Sequence, residues 1–139
     1  MATRKKPPRL YGKLELDTDA GMFMGDTRVR LLEAIGETGS ILQAAKLIPL
    51  SYKAAWEAVD AMNNLAEHPL VERTAGGKKG GGTLITDYGR KVIAMYRAIE
   101  GEYQQALDRL ATRFGEVDTG NMRSFQRMLR RMSLRTSAR

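Results

Sequence analysis

The feature that most limits the fold is a stripe of apolar residues late in the chain. Tyr88, Val92, Tyr96, Ile99, Tyr103, Leu107, Leu110 and Phe114 recur at steps of four, four and three. The pattern closes every eleven residues, so positions 88, 99 and 110 fall in register, as do 92, 103 and 114. An eleven-residue repeat nearly matches three turns of a straight α-helix, and the stripe stays on one face. Thr86 supplies an N-cap, and Asp87 sits where the helix dipole favours an acid. At ~1.5 Å per residue this helix is about 42 Å long. A chain of 139 residues leaves too small a body to cover such a helix. A second copy is the natural partner, in a two-fold dimer whose interface is this stripe.

The preceding segments read as short elements. Leu10 to Leu16 alternates, with Leu10, Leu14 and Leu16 on one face and Tyr11, Lys13 and Glu15 on the other, which predicts a strand. A polar turn over 17–21 follows, then the apolar Met22-Phe23-Met24. Asp26 is the expected N-cap of a helix carrying Val29, Leu32 and Ile35, stopped at Gly39. Ser40-Ile41-Leu42-Gln43 reads as a capping box, the serine hydroxyl serving one orphan amide and the glutamine another. That helix runs to about Leu47, with Ile41, Ala44 and Ala45 inward. Pro49 interrupts. Ser51 caps the next helix, to about Asn64, with Ala55, Val59 and Met62 inward. Two helices about three residues apart, with alanines where they cross, have the layout of a helix-turn-helix. Leu70–Arg73 and Thr83–Ile85 read as a hairpin around the glycine-lysine loop of residues 74–82, the arrangement of a wing.

The predicted fold is therefore mainly α with a small β component: a winged helix-turn-helix with a long C-terminal dimerisation helix. Its parts are a basic N-terminal arm (1–9), the winged helix-turn-helix (10–85), the dimerisation helix (86–114) and a basic C-terminal tail (115–139). The net charge is +7, but it is concentrated at the ends. Residues 1–9 and 115–139 each carry +4, while 10–114 carry −1. A claim of DNA binding must therefore rest on where charges lie within the body, since basic ends are most often solvated arms. In the tail, Met122, Phe125, Met128, Leu129 and Met132 could line an amphipathic helix opposite arginines. The absence of cysteine excludes disulfides and thiolate chemistry. A single histidine excludes a multi-histidine metal centre, and no cofactor or metal is expected. No nucleophile–base set is visible, so the chain does not read as an enzyme. Without a signal peptide or membrane-length apolar run, the expected location is the cytoplasm.

The major groove of B-DNA admits one helix, and the first turn of a recognition helix reaches base edges. Here that turn is Ser51-Tyr52-Lys53. Ser51 can donate to phosphate or base, Lys53 can pair with phosphate or guanine, and Tyr52 offers a hydroxyl and a flat apolar face. Glu57 and Asp60 lie further along, away from the phosphates. Ser40 and Gln43 open the preceding helix, where Gln43 can cap or touch DNA. Arg73, Lys78, Lys79 and Gly80 form the wing contacts, glycine permitting close backbone approach. A nucleotide-binding loop is excluded because the spacing and the flanking elements differ from a P-loop. Trp56, one turn after Tyr52, reads as core, and His68 as structural.

Gly39-Ser40-Ile41, Gln43-Ala44-Ala45-Lys46, Ser51-Tyr52-Lys53, Ala55-Trp56, Met62-Asn63 and Glu67-His68-Pro69-Leu70-Val71-Glu72-Arg73 with its glycine-lysine loop closely resemble the N-terminal domain of the ModE family. These are molybdate-responsive regulators with a helix-turn-helix related to the LysR type. The resemblance covers about residues 12–114. It implies a dimer formed partly through the long helix, and operator binding from Ser51 aided by the wing. Two departures stand out. Family members usually carry glycine in the turn, where this chain has Ile48-Pro49-Leu50, so the turn is expected to differ. Full-length members also continue into oxyanion-binding domains, whereas this chain runs only about 25 residues past the helix. Direct molybdate sensing is accordingly not expected, although a separate effector-binding protein could supply it. The expected partners are double-stranded DNA and a second copy of the chain, with no membrane. Two alternatives stay open: non-specific architectural nucleic-acid binding driven by the basic ends, and an interaction module for a separate effector-binding protein.

Overall fold

The computed structural model describes residues 10–74, 82–114, 126, 127 and 129–131. Eight elements run in the order β1 (Leu16–Thr18), β2 (Gly21–Met24), α1 (Asp26–Thr38), α2 (Ile41–Leu47), α3 (Tyr52–Leu65), β3 (Val71–Arg73), β4 (Thr83–Ile85) and α4 (Asp87–Phe114). The strands form two antiparallel pairs, β1 with β2 and β3 with β4. This is a winged helix-turn-helix with a long closing helix, the fold class expected. By backbone contacts the chain separates into Lys13–Gly101 and a second unit joining Met1–Gly12 with Glu102–Arg139. The basic arm and nearly all of the basic tail lie outside the described residues; in the tail, 126, 127 and 129–131 are helical.

The opening strand is shorter and later than its pattern predicted. The alternation itself survives, since Leu14 and Leu16 pack against the core while Lys13 and Glu15 are exposed. Pairing begins only at Leu16, because the turn is tighter than the polar run suggests. Thr18 donates its hydroxyl to the Gly21 carbonyl at 2.9 Å and accepts from the Ala20 amide at 3.2 Å. This places Asp17 opposite Met22, inside the hairpin. Leu10 is 43% exposed, not part of a buried strand face.

Helix α1 is capped by Gly25, and no side chain bonds its terminus. Asp26 is thus its first residue rather than its cap. There it lies near the positive end of the dipole and pairs with Arg30 at 3.2 Å. Val29, Leu32 and Ile35 are fully buried as expected. Gly39 ends the helix at φ 66°, a left-handed conformation that glycine adopts without steric cost. Its carbonyl accepts from the Thr83 amide at 2.9 Å, tying strand β4 to this corner.

Only half of the capping box forms. The Ser40 hydroxyl accepts from the Gln43 amide at 3.2 Å. The Ser40 amide goes to Thr38 Oγ1 at 3.3 Å rather than to the Gln43 side chain. Ala44, Ala45 and Ala55 are buried where α2 meets α3, and their small size lets the helices approach. Leu50 donates its amide to the Ala45 carbonyl at 2.9 Å. Between them Pro49 stands at φ 20°, the positive φ that glycine would take. The ring prefers about −65°, so this turn is held against proline's own tendency.

The hairpin β3–β4 pairs Val71 with Ile85 and Arg73 with Thr83. Leu70 stands outside the strand, fully buried, because Asn63 on α3 claims its amide. Asn63 Oδ1 accepts from Leu70 N at 2.8 Å and Val71 N at 3.4 Å, and Nδ2 donates to the Val71 carbonyl at 3.1 Å. Thr86 caps α4 as predicted, accepting from the Gly89 amide at 2.9 Å. Its own amide donates to the Leu70 carbonyl at 3.0 Å. A Cβ at Gly89 would stand 2.4 Å from that carbonyl, so only glycine lets α4 start this close to the hairpin.

The stripe on α4 divides along its length. Val92 and Tyr96 are 5% and 1% exposed and belong to the chain's own core. Tyr88 is half-buried, its ring edge-on to His68 at 5.3 Å. These three were expected at a dimer interface. The chain's own core takes up Val92 and Tyr96, because the helix-turn-helix and β4 offer α4 an apolar seat over its first turns, while Tyr88 keeps part of its side chain exposed. Tyr96 also donates its hydroxyl to the Leu14 carbonyl at 3.0 Å. Burial first, and then the Glu100 and Asp26 carboxylates, raise its pKa above the ordinary 10.0. Arg97, next along, binds Glu33 and, at 2.7 Å, Glu100. Further on, Ile99 and Leu110 are exposed, and Tyr103 and Leu107 half-buried. Tyr103 lies under the Gly12 backbone, its hydroxyl where a Cβ would stand. Of the Phe114 side chain nothing is described. Among the described residues no helix is long and apolar enough to cross a membrane.

Candidate nucleic-acid interface

The candidate residues enter through two helix starts and one strand end. Ser51 opens α3 and accepts from the Ala54 amide at 3.0 Å. One orphan amide is thereby satisfied, and the others of the first turn stay at the positive end of the dipole. No acidic residue occupies that turn. Ser51, Tyr52 and Lys53 are all exposed, Tyr52 at 51%. Alternation with the buried face explains this. Ala55, Val59 and Met62 turn inward, which leaves Lys53 opposite them and Trp56 at the side, while Tyr52 lies at the edge of their stripe and is exposed because it opens the helix.

Lys53 is not as unencumbered as the spacing suggested. Its ammonium lies 3.8 Å from the Glu57 carboxylate, one turn along. Both side chains are largely exposed, so the pair contributes only ~0–1 kcal/mol. A polyanion would compete for the lysine at little cost. Ser40 and Gln43 open α2 in the same manner, with Gln43 exposed and its side chain released from the capping role. Arg73 ends β3 at the wing's root, where Thr74 N donates to the Gly82 carbonyl at 2.9 Å. Lys78, Lys79 and Gly80 lie outside the described residues.

The structure brings two of these side chains together around a residue that sequence reasoning assigned to the core. Trp56 is half-buried, packed against the core on one side. Tyr52 meets its ring edge-on at 6.2 Å, and the Arg73 guanidinium carbon lies 4.0 Å from its centroid. Tyr52–Trp56–Arg73 thus form one exposed-edged cluster joining the outer side of α3 to the wing's root. The signal was present in the i, i+4 spacing of 52 and 56, which places the two rings side by side on the helix. The arginine, seventeen positions later, carried no such local mark. Among the described residues no group of three or more His, Cys, Asp or Glu could hold a metal ion.

Comparison with known proteins agrees with this layout. Residues 27–90 match the family described as "Bacterial regulatory helix-turn-helix protein, lysR family". The chain is 60% identical over 131 residues to the molybdenum transport protein ModE of Azotobacter vinelandii, covering 94% of this chain and 48% of that protein. It is 41% identical over 126 residues to the DNA-binding transcriptional dual regulator ModE of Escherichia coli (strain K12), covering 91% of this chain and 47% of that one. It is also 48% identical over 119 residues to the molybdenum-pterin-binding protein MopB of Rhodobacter capsulatus, covering 86% of this chain and 42% of that protein. The chain spans about half the length of the curated relatives it matches. The family description and the regulator's name refer to DNA-binding control of transcription, not to catalysis. Residues 27–90 are accordingly similar to the LysR-type helix-turn-helix, and nearly all of the chain is similar to about half of the length of the ModE regulators.

Proposed function

We propose that this chain is a sequence-specific transcriptional regulator that binds a palindromic or near-palindromic operator as a homodimer. Helix α3 enters the major groove by its first turn, with Ser51, Tyr52 and Lys53 at base edges and phosphates. Ser40 and Gln43 at the start of α2 contact the flanking backbone. Arg73, Lys78, Lys79 and Gly80 carry the wing contact. The later part of the α4 stripe, Ile99, Tyr103, Leu107, Leu110 and Phe114, pairs two protomers. Such a protein works in the cytoplasm, on the nucleoid. The observation that carries this reading is the exposed, serine-capped, acid-free first turn of α3 within a LysR-type helix-turn-helix.

The test is selection of bound duplexes from a random pool, run with and without molybdate. A recurring two-fold motif is expected. Lys53→Ala should weaken binding to the selected duplex by ~1–3 kcal/mol, about 5- to 150-fold in Kd. Changes at Lys78 and Lys79 should weaken all duplexes alike. If no preferred duplex emerges at moderate salt, the reading fails. Relatives are named for molybdenum transport and molybdenum-pterin binding. A motif unaltered by molybdate would place any such response in a separate effector-binding protein. The charge of +4 at each end favours a second reading, non-specific binding through the arms. Loss of all binding on deleting residues 1–9 and 115–139 would support it.

A further inference from the structure

The arginines between Lys13 and Gly101 are at 28, 30, 73, 90 and 97. Four are engaged within the chain. Arg28 donates to the Met22 and Phe23 carbonyls, and Arg30 pairs with Asp26. Arg90 binds Asp87 and the Ile85 carbonyl, and Arg97 is shared by Glu33 and Glu100. Arg73 is different. Among the described residues no carboxylate or carbonyl engages its guanidinium, and it rests on the Trp56 ring at 4.0 Å from the centroid.

That arrangement has a chemical consequence. An aromatic face attracts a guanidinium through its quadrupole and occupies none of its five N–H donors. The group is held in plane while its donor fork is left for another acceptor. The acceptor such a fork fits is a planar pair of anionic oxygens, as in a phosphodiester. The platform is firm as well. Trp56 is wedged between the core and the edge-on Tyr52 ring, and Asn63 bonds the strand that carries Arg73 back to α3. Both halves of the stack therefore ride on the helix that would read the groove.

We propose that Trp56 is a positioning residue for DNA binding: its ring holds the Arg73 guanidinium ready to clamp one backbone phosphate of the duplex that α3 reads. This rests on the DNA-binding function proposed above. Such a contact sets register and carries no base information. The stack is what makes one arginine count as an ordered fork rather than a solvated charge.

The test uses the full chain and a labelled duplex recovered from the random pool by the wild-type protein, titrated between 50 and 200 mM salt (about the range over which phosphate contacts show). Arg73→Ala should lower affinity about 10- to 100-fold and reduce the salt slope by about one. Arg73→Lys keeps the charge and should keep the slope, yet lose about tenfold. Trp56→Leu should cost about three- to tenfold with the slope unchanged, and Trp56→Phe should recover most of it. In a double-mutant cycle, removing Trp56 from the Arg73→Ala protein should change affinity less than twofold. A purely structural tryptophan would give additive losses instead. Should Trp56→Leu fold poorly by circular dichroism, the same cycle with Trp56→Met, which also removes the ring, decides the matter. Wild-type binding with Arg73→Ala unchanged in slope and affinity, or additive losses in the cycle, overturns the clamp and leaves the DNA-binding function standing. Failure of the wild-type chain to select any duplex removes that function, and the clamp with it.

Discussion

Pro49 holds a backbone angle that its own ring opposes. At φ 20° it lies far from the range near −65° that proline prefers, and such strain costs about 1–3 kcal/mol. Replacing it by glycine relieves that strain but frees the unfolded chain, which returns about 0.4–1 kcal/mol of the gain. Pro49→Gly should therefore stabilise the fold by about 1 kcal/mol, read as a higher urea midpoint with an unchanged m value. A lower midpoint would mean the turn is not strained. Tyr96 makes a second prediction at this scale. Its pKa is raised by burial first and by the Glu100 and Asp26 carboxylates next, with Arg97 opposing. A group whose folded pKa is raised contributes stability that is complete below the unfolded value and lost as pH rises through the folded one. Here that window opens at about pH 10 and extends upward. Tyr96→Phe should lose ~1 kcal/mol near neutrality, with its bond to Leu14, and decline less steeply above pH 10. Stability curves that stay parallel through the alkaline range would contradict it.

Between elements, the strongest joint is made by one amide side chain. Asn63 bonds the backbone of both Leu70 and Val71, pinning the hairpin to α3. Asn63→Ala would leave the buried Leu70 amide without its partner, costing about 2–4 kcal/mol from the lost bonds and the orphaned donor together. Thermal unfolding should show a fall of several degrees or more, and a shift under one degree would refute the role. How much of this was legible depends on range. The inward faces of α1, α2 and α3, the Ser51 and Thr86 caps and the Gly39 stop were written in local spacing, and each stands where its spacing put it. The failures came where a neighbouring backbone group or a competing acceptor decided, or where no partner strand was present. Thr38 took the amide assigned to Gln43, Gly25 displaced Asp26 as cap, and Leu10 found no strand to pair with. In the site, Ser51, Tyr52 and Lys53 were visible as the first turn after a break. The Trp56–Arg73 stack was not, because only the closed hairpin brings those two residues together.

For the whole molecule, the open question is what covers the rest of α4. Val92 and Tyr96 are enclosed by their own chain, so the proposed second copy would be met further along, where Ile99 and Leu110 are exposed at 38% and 41%. A two-fold interface doubles the effect of any substitution within it. With about 1.5–3 kcal/mol for each buried leucine, Leu110→Asp should raise the dimer dissociation constant at least about a hundredfold. Sedimentation equilibrium would report this, and an unchanged constant would remove the helix pairing from the proposal. One earlier detail bears on how such a particle would respond to its surroundings. The main chain of Leu70 gives its amide to Asn63 on α3 and its carbonyl to Thr86 at the head of α4. Asn63 on α3 and Thr86 at the head of α4 thus hold the backbone of one residue from its two sides. A ligand or partner that displaced the head of α4 would load the same backbone that α3 holds.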